Sequence, residues 1–361
     1  MSRFSFSRIE TIAADGIQEV SNRPLTRDRK SLLIANQNFL NSDNLKNLYN
    51  SHVYRRNLNC MDKCLPAISY SRRSFGKLTG GALLSLFGAQ QAMANPISDE
   101  LFLSDFGVRA NYSDFAMLKK FGYSYIEAGT GDILQPNIPE AKIAEMLEHV
   151  REQGIRIHAC NGFIPPKLKS TGPNADHEAV LQYADIVFQR AKRFGVKGIV
   201  FGSSGSRKIP KEFPREEAEV QFVSLLKKMA PLAAAQEVEI WIEPLNRGED
   251  NFINTQMQGA SIIEKVGHPS LGLVCDIYHV AKNEESPEDI KTCIKHIRHC
   301  HIAEKARRTP PGVENFDFTP YLRALKESGY RQTMSMECRW KNLEAQAPEA
   351  LAYLKSQIKS L

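Results

Sequence analysis

Several features that would assign a function directly are missing from this 361-residue sequence. Its seven cysteines include no C-x-x-C pair, which argues against cysteine metal ligands and a disulfide framework. No G-x-G-x-x-G motif follows the first strand candidate, as a doubly wound dinucleotide-binding sheet would require. The apolar stretch at residues 78–94 is too short to span a membrane. The 42% of hydrophobic residues is ordinary for a globular chain.

The first 60 residues differ in composition from the rest. They are rich in Asn, Ser and Arg and show neither a strand period nor a helix period, so they offer no apolar face to bury. We therefore predict that residues 1–60 are disordered and take no part in the fold. Alternatively, they are an upstream segment and translation starts at Met61, which opens a segment of the length that an export signal needs.

An export signal is predicted over residues 61–94. Arg72 and Arg73 stand before an uncharged apolar stretch that ends in Ala-Met-Ala, a pattern typical of a cleavage site. The arrangement resembles a twin-arginine (Tat) signal peptide. It implies a periplasmic protein whose mature chain, residues 95–361, starts at Asn95.

Removing this front segment changes the charge of the protein. Residues 1–94 hold 13 of the 47 basic and 6 of the 41 acidic residues, which leaves 34 basic and 35 acidic residues in the mature chain. A net charge near −1 provides no general attraction for polyanions, unlike the +6 of the whole chain. We therefore expect no nucleic-acid partner and no stable membrane association, and we leave homo-oligomerisation open.

Four apolar strand candidates each end in a side chain that can bind a metal ion. These side chains are Glu243, Asp276, His301 and Glu337. A single glutamate at a strand end is more often solvated, but four successive strands with such ends are poorly explained by coincidence. Three carboxylates and one imidazole suit one divalent metal ion, and we expect Mn²⁺ ahead of Co²⁺, Mg²⁺ or Zn²⁺.

Strand and helix patterns alternate eight times from residue 101 onwards. The strand candidates are 101–108, 123–128, 155–160, 198–202, 238–243, 271–277, 297–303 and 333–338. The helix candidates are 113–121, 139–153, 177–194, 215–236, 255–266, 287–296, 318–328 and 344–359. This order predicts a single-domain (β/α)₈ TIM barrel, an α/β fold in which reactive groups at the strand ends meet on one face. A doubly wound open sheet is the competing architecture.

Three cysteines adjoin the metal-ligand candidates along their strands. Cys275, Cys300 and Cys338 therefore point to the opposite face of the sheet, toward the helices. We predict that they are buried and apolar in character and bind no metal.

The glutamates that end the fifth and eighth predicted strands suggest a reaction. A carboxylate beside a carbon next to a carbonyl can remove its proton when a metal ion stabilises the resulting enediolate. If Glu243 and Glu337 serve opposite faces of a sugar, one removes the proton and the other returns it, which inverts the carbon. Return of the proton to the neighbouring carbon would interconvert an aldose and a ketose.

Three motifs resemble those of one known superfamily. E-P-L-N-R-x-E-x-x-x-I-N-T at residues 243–255, D-x-x-H at 276–279 and H-x-x-E-x-x-R at 301–307 have the order and spacing of the xylose-isomerase-like barrels. A final glutamate on the eighth strand completes the pattern. Within the superfamily, the motifs are most similar to those of the ketose 3-epimerases, the tagatose and psicose epimerase group. The resemblance covers the chain from about residue 101.

The resemblance implies roles for seven residues. Metal binding is implied for Glu243, Asp276, His301 and Glu337, and contact with sugar oxygens for Glu249, His279 and Arg307. The R-R-T-P-P-G loop after Arg307 contains one proline more than the family's usual R-x-x-P-G, which bears on substrate specificity. The implied substrate is an unphosphorylated sugar or sugar derivative, which suits an exported enzyme.

Four further features have both a functional and a structural interpretation. His299 faces the same way as His301 and is either a support for that ligand or a core histidine. Arg339 points inward and either binds substrate or forms a structural ion pair. Asn161 lines the pocket or belongs to a plain turn, and the loop at 201–207 cradles a phosphate or is a tight turn.

Other functions are compatible with the same residues. A dehydratase or lyase acting on a keto-sugar or keto-cyclitol, similar to an inosose dehydratase, would use the same metal and base. A hydroxypyruvate-isomerase-like enzyme would use the same carboxylates. An apurinic-site endonuclease would need more metal ligands and a cationic face. A sugar-binding protein without catalysis would not need both glutamates.

Overall fold

The structure, a computed structural model, describes residues 102–361. The predicted tail at residues 1–60, the predicted export signal at 61–94 and the predicted mature start at Asn95 lie outside the described residues. The first residue of the first strand candidate also lies outside them.

Eight parallel strands form a closed barrel in residues 102–361. The strands are β1 (Phe106–Arg109), β2 (Tyr125–Gly129), β3 (Ile157–Asn161), β4 (Gly198–Phe201), β5 (Glu239–Ile242), β6 (Leu271–Asp276), β7 (Ile297–Ile302) and β8 (Thr333–Met336). Each strand pairs with the next one in the chain, and β8 pairs with β1 so that Met334 lies opposite Phe106. The predicted (β/α)₈ barrel is therefore confirmed.

Eleven α-helices accompany the strands in the described part of the chain. They are α1 (Phe115–Lys120), α2 (Thr130–Ile133), α3 (Glu140–Glu152), α4 (His177–Phe194), α5 (Ser204–Arg207), α6 (Arg215–Ala235), α7 (Gln256–Val266), α8 (Ile277–Asn283), α9 (Pro287–Cys293), α10 (Thr319–Glu327) and α11 (Leu343–Lys359). All eight predicted helices are found. The additional helices α2, α5 and α8 have four to seven residues, too few to show a helical period in the sequence. No helix of residues 102–361 has both the length and the apolar character of a membrane span.

Local sequence signals set the ends of the helix that follows β5. The Thr255 side chain accepts a hydrogen bond from the backbone N–H of Gln258, whose own side chain bonds back to the backbone of Thr255. This reciprocal capping box satisfies two N–H groups that have no partner inside the helix. Gly267 ends α7 in the left-handed region, with φ at 69°. Both ends of α7 thus have local signals, and Glu285 Oε2 adds a contact from further along the chain by accepting a hydrogen bond from the backbone N–H of Gln256 at 2.7 Å.

Buried apolar side chains lie on both faces of the barrel sheet. The larger cluster lies between strands and helices and includes Cys275 and Cys300, which are fully buried free cysteines. A smaller cluster in the barrel interior consists of Ala159, Val200, Trp241 and Val274. The predicted burial is thus confirmed for Cys275 and Cys300. Cys338 is only half-buried, with its Sγ 3.4 Å from the carbonyl oxygen of Ile302.

Candidate active site

The four side chains predicted as metal ligands converge at the C-terminal ends of β5 to β8. Glu243 directly follows β5, Asp276 ends β6, His301 is the penultimate residue of β7 and Glu337 directly follows β8. One ligand atom from each side chain lies within 4.8 Å of the ligand atoms of the other three. Closure of the barrel brings these strand ends together, because parallel strands with helical crossovers all end on the same face.

His301 lies at the centre of this group. Its Nδ1 is 2.9 Å from Glu243 Oε1 and 3.1 Å from Glu337 Oε2. Its Nε2 points the opposite way and is 3.0 Å from Oε2 of Glu127, a residue of β2. The ring is completely buried. One imidazole is therefore held between carboxylates on both of its nitrogens.

The charges of the site favour a cation at its centre. Burial raises the pKa of Asp276 to about 7 and also raises the pKa of Glu243. Burial alone would lower the pKa of His301, but the carboxylates of Glu127 and Glu337 hold it well above its usual range. The imidazolium supplies positive charge where a divalent ion would supply it. The donor set of three carboxylates and one imidazole therefore fits a divalent metal ion.

Arg308 closes the site from the loop after β7. Its Nη2 donates to Glu337 Oε2 at 2.6 Å and lies 3.4 Å from Asp276 Oδ2. The guanidinium also lies over the Tyr278 ring, 4.8 Å from the ring centre. Burial would raise the pKa of Glu337, but His301 and Arg308 lower it to about 2. Glu337 is thus strongly held as a carboxylate.

The family resemblance implies that Arg307 contacts the substrate, but the structure places its side chain away from the ligand group. The Arg307 side chain is 69% exposed and pairs with Glu314. Arg308 adopts a left-handed backbone conformation, with φ at 60°, and its guanidinium faces Glu337 and Asp276. We therefore assign the inward-facing arginine to position 308.

A buried carboxylate explains why the loop turns at this point. Glu304, which is fully buried, accepts hydrogen bonds from the backbone N–H groups of Gly312 and Glu314 at 2.9 and 2.6 Å. It also accepts one from the Thr309 hydroxyl at 2.8 Å. A carboxylate without a cation can be buried when several donors satisfy it. Glu304 thus ties the loop that carries Arg308 to the end of β7.

The other two predicted substrate contacts lie beside the ligand group. His279 is buried, and its Nδ1 accepts a hydrogen bond from the backbone N–H of Asn246 at 3.0 Å. Burial lowers the pKa of His279 to about 3, so the ring is neutral and its proton is on Nε2. That Nε2 lies 3.4 Å from Asp276 Oδ2 without forming a hydrogen bond to any described residue. Glu249 lies at the exposed rim, 3.9 Å from Arg308.

Two further polar residues lie next to His301: Glu127, which was not predicted from the sequence, and His299, for which two interpretations were open. Glu127 is completely buried, and its Oε2 accepts hydrogen bonds from His299 Nε2 at 3.1 Å and His301 Nε2 at 3.0 Å. His299 stacks on Trp241, with ring centres 5.2 Å apart. The sequence did contain a signal for Glu127: it is an acidic residue within an apolar strand candidate, as is Glu243.

The structure places Asn161 in the site and the side chain of Arg339 at the surface. Asn161 ends β3, and its Nδ2 donates to Glu337 Oε1 at 2.7 Å, while its Oδ1 accepts from Arg109 Nε at 2.9 Å. The prediction that Asn161 lines the pocket agrees with this position. The Arg339 side chain is exposed, and its backbone N–H donates to the Arg308 carbonyl. The prediction that Arg339 points inward is wrong, because Arg339 follows β8 in irregular backbone, where strand alternation no longer holds.

The loop at 201–207 holds two strand ends together. Arg207 is completely buried, and its guanidinium donates to the carbonyl oxygens of Phe201 at 2.7 Å and Glu243 at 2.8 Å. Asp250 balances the charge at 2.8 Å from Arg207 Nε. Arg207 thus fixes the backbone of a ligand residue, and its role was not predicted from the sequence.

A closed eight-stranded barrel with carboxylates and one histidine at adjacent strand ends defines a class of TIM-barrel enzymes. The chain belongs to the xylose isomerase-like TIM barrel family, whose model matches residues 115–357. The expected family membership is therefore confirmed. The site lies within the matched region.

Individual relatives support an isomerase or epimerase. The chain is 26% identical over 259 residues to an L-ribulose 3-epimerase of Methylomonas sp. (strain DH-1), covering 65% of this chain and 87% of that one. It is 26% identical over 258 residues to the 3-dehydro-D-guloside 4-epimerase of Escherichia coli (strain K12), covering 67% and 93%. The chain is an enzyme of the isomerase and epimerase class.

A solved structure agrees in fold. The D-psicose 3-epimerase of Clostridium cellulolyticum H10, solved with D-tagatose, superimposes with a TM-score of 0.63 at 20% identity. The match covers 70% of this chain and 99% of that chain. The whole of that enzyme therefore corresponds to the barrel described here.

Proposed function

We propose that this protein is a sugar epimerase or isomerase that uses one divalent metal ion. The observation that carries the proposal is that Glu243 and Glu337, from strands three positions apart in the barrel, both reach Nδ1 of His301. A substrate bound beside that nitrogen would have a carboxylate from each strand next to it. The epimerases among the relatives act on sugars, which agrees with this arrangement.

The metal ion would be held by Glu243, Asp276, His301 and Glu337. When bound, it supplies a positive charge beside the substrate carbonyl and stabilises the negative charge that develops on the carbonyl oxygen. We take Mn²⁺ as the first candidate, and Co²⁺, Mg²⁺ and Zn²⁺ suit the same donors.

The two glutamates differ in environment in a way that suits two proton-transfer roles. Burial raises the pKa of Glu243, which favours its protonated form and suits the group that gives a proton to the substrate. Asn161 and Arg308 donate to Glu337 and its pKa is lowered, so Glu337 is ionised and is the group without a proton that acts on the opposite face. Gly202 makes room for Glu243, because a Cβ at position 202 would lie 2.3 Å from its Oε2. Each glutamate acts on one face of the substrate.

Three side chains around the ligand group would orient the sugar. Arg308 replaces Arg307 in this role, since its guanidinium faces the carboxylates. His279 offers a neutral Nε2–H that has no partner among the described residues and suits a substrate oxygen. Glu249 at the rim would accept a hydrogen bond from a sugar hydroxyl.

A deuterium-exchange experiment tests the reaction. The enzyme is incubated with Mn²⁺ in D₂O against a panel of free ketoses and 3-keto-glycosides, and products are followed by NMR. We expect deuterium at an inverted carbon next to the carbonyl, and we expect a chelator to abolish exchange. An ultraviolet-absorbing enone would instead identify a dehydratase, and exchange that persists in the chelator would contradict metal dependence.

Variants separate the two bases. Glu243→Gln and Glu337→Gln should each lower turnover by about 10²- to 10⁴-fold, the range that a positioned general base contributes. Exchange is then measured from each epimer separately. Each variant should lose exchange from one epimer more than from the other, whereas equal losses would indicate a single base.

We also propose that the enzyme works in the periplasm. The twin-arginine pattern at Arg72 and Arg73 supports this location, and an unphosphorylated sugar is the substrate expected there. Changing both arginines to lysine should keep the protein in the cytoplasm, as cell fractionation would detect. Mass analysis of the exported form should give Asn95 as its first residue, and a first residue upstream of Leu83 would contradict the signal.

A further inference from the structure

We infer that Glu127 is a positioning residue that makes Nδ1 of His301 available to the metal ion. The inference rests on the metal site of the proposed function and goes beyond it to a residue in a different strand. Glu127 lies on β2 and His301 on β7, so the contact crosses the barrel between residues 174 positions apart. Glu127 is completely buried and contacts Nε2 of His301, the ring nitrogen that faces away from Glu243 and Glu337.

The two nitrogens of His301 have different neighbours. Nδ1 faces Glu243 and Glu337, which are metal-ligand candidates, and Nε2 faces Glu127. A neutral imidazole has a hydrogen on only one of its two ring nitrogens, and the nitrogen that has it cannot bind a metal. Only the form with its hydrogen on Nε2 leaves Nδ1 free to bind. An ionised carboxylate accepts hydrogen bonds and donates none, so Glu127 selects this form.

His299 holds Glu127 in place. Its Nε2 lies 3.1 Å from the same Glu127 oxygen that His301 contacts. Its Nδ1 lies 2.7 Å from the Thr333 hydroxyl, which can donate to it and thereby leaves the hydrogen of His299 on Nε2. Two N–H groups from one strand therefore converge on one carboxylate oxygen. The hydrogen bond from His299 thus holds the Glu127 carboxylate in the position in which it accepts a hydrogen bond from His301.

A second metal ion bound by Glu127, His299 and His301 explains these contacts less well. The nitrogen-to-oxygen distances of 3.0 and 3.1 Å are those of N–H···O hydrogen bonds. His301 belongs to both possible ligand groups, and an ion in each would require its ring to have no hydrogen on either nitrogen, whereas a neutral imidazole keeps one. Binding there would also take Nε2 of His301, which already has an acceptor.

Metal titration of the full folded protein tests the inference. The dissociation constant for Mn²⁺ is measured by calorimetry in wild type, Glu127→Gln and Glu127→Leu. We expect about a 10- to 100-fold weaker affinity for Glu127→Gln, the usual effect of removing a partner of a metal-bound histidine. Glu127→Leu, which has no acceptor, should lose more than Glu127→Gln. Thr130→Val is the matched control, because it removes a buried hydroxyl directly after the same strand that has no hydrogen-bond partner among the described residues, and its affinity should stay within about twofold of wild type.

A spectroscopic readout separates positioning from general stability. In the Zn²⁺-loaded protein, NMR of the imidazole nitrogens should show His301 with its hydrogen on Nε2 and the metal on Nδ1. The Nε2–H signal should move upfield in Glu127→Gln as its hydrogen bond weakens. A metal on Nε2 in wild type would overturn the inference.

The outcomes also distinguish this inference from the proposed function. If wild type binds no divalent ion, the metal-dependent function fails. If wild type binds Mn²⁺ and both Glu127 variants bind it equally well, only the role of Glu127 fails. A lower unfolding temperature of the metal-free variants with an unchanged dissociation constant would show a structural role and would likewise overturn the inference.

Discussion

Metal binding should release at least two protons at pH 6. In the metal-free site, burial raises the pKa of Asp276 to about 7, and the carboxylates of Glu127 and Glu337 hold the pKa of His301 well above its usual range despite burial. Both groups are therefore protonated at pH 6. A protonated ligand atom cannot bind a cation, so each of the two protons must leave.

The magnitude follows from the number of protons. Each displaced proton changes the apparent affinity tenfold per pH unit, so two protons lower the dissociation constant by about 100-fold from pH 5 to pH 6. Above pH 7 Asp276 is already ionised, and the slope should fall to about tenfold per unit while His301 still loses its proton. Affinity therefore rises with pH throughout this range.

Calorimetry in two buffers of different ionisation enthalpy counts the protons directly. Mn²⁺ is titrated into metal-free protein at pH 6, and the difference in heat between the buffers gives the number released. Asp276→Asn should release one proton fewer and bind more weakly. A release of less than one proton by wild type, or a dissociation constant that does not change from pH 5 to pH 7, would refute the charge assignment of the site.

Three further predictions concern loops around the barrel. Arg308→Ala should lower kcat/KM by at least tenfold, because it removes a charged contact worth about 1.5–3 kcal/mol. The control Arg307→Ala, at the exposed neighbouring position, should keep kcat/KM within about twofold of wild type. Equal losses in the two variants would contradict the assignment of position 308. Arg207→Met should destabilise the protein to denaturant by about 3–5 kcal/mol, because it leaves Asp250 buried without its partner; a change below about 1 kcal/mol would contradict this. Burial raises the pKa of Glu285 to about 7 from 4.5, so its contribution to stability is present below pH 4.5 and lost as pH rises through 7. Relative to wild type, Glu285→Gln should therefore gain about 1–3 kcal/mol between pH 4.5 and pH 8 in denaturant unfolding of the metal-free protein, and a pH-independent difference would contradict the reasoning.

The ligand residues were predictable because their signal is local. Glu243, Asp276, His301 and Glu337 each stand at the end of an apolar run, and the run itself identifies the strand. Parallel strands joined by helices leave only one face on which such ends can meet. Glu127 also lies in an apolar strand, but that strand is β2 and not one of the consecutive strands β5 to β8. The search for consecutive strands with metal-binding ends therefore did not include it.

The errors share one physical cause. Arg339 was placed inward by extending strand alternation past the end of β8, where the backbone no longer alternates. The family resemblance implied that Arg307 contacts the sugar, but the Arg307 side chain is exposed and Arg308, which has a positive φ, faces the ligands. Positions in loops depend on backbone dihedral angles that a residue pattern does not contain.

The sequence by itself determined the eight-fold alternation and the residues at the strand ends, whose donor atoms suit a divalent metal ion. These properties follow from the periods of strands and helices, which depend on residues a few positions apart. The tertiary structure decided three contacts that no pattern showed. Glu127 accepts a hydrogen bond from Nε2 of His301, Arg308 faces the ligands, and the buried Arg207 binds the backbone of Glu243. Those contacts join residues 29 to 174 positions apart and form only when the barrel closes. No local pattern encodes such pairings, because their geometry is set by the packing of strands that are distant in the chain.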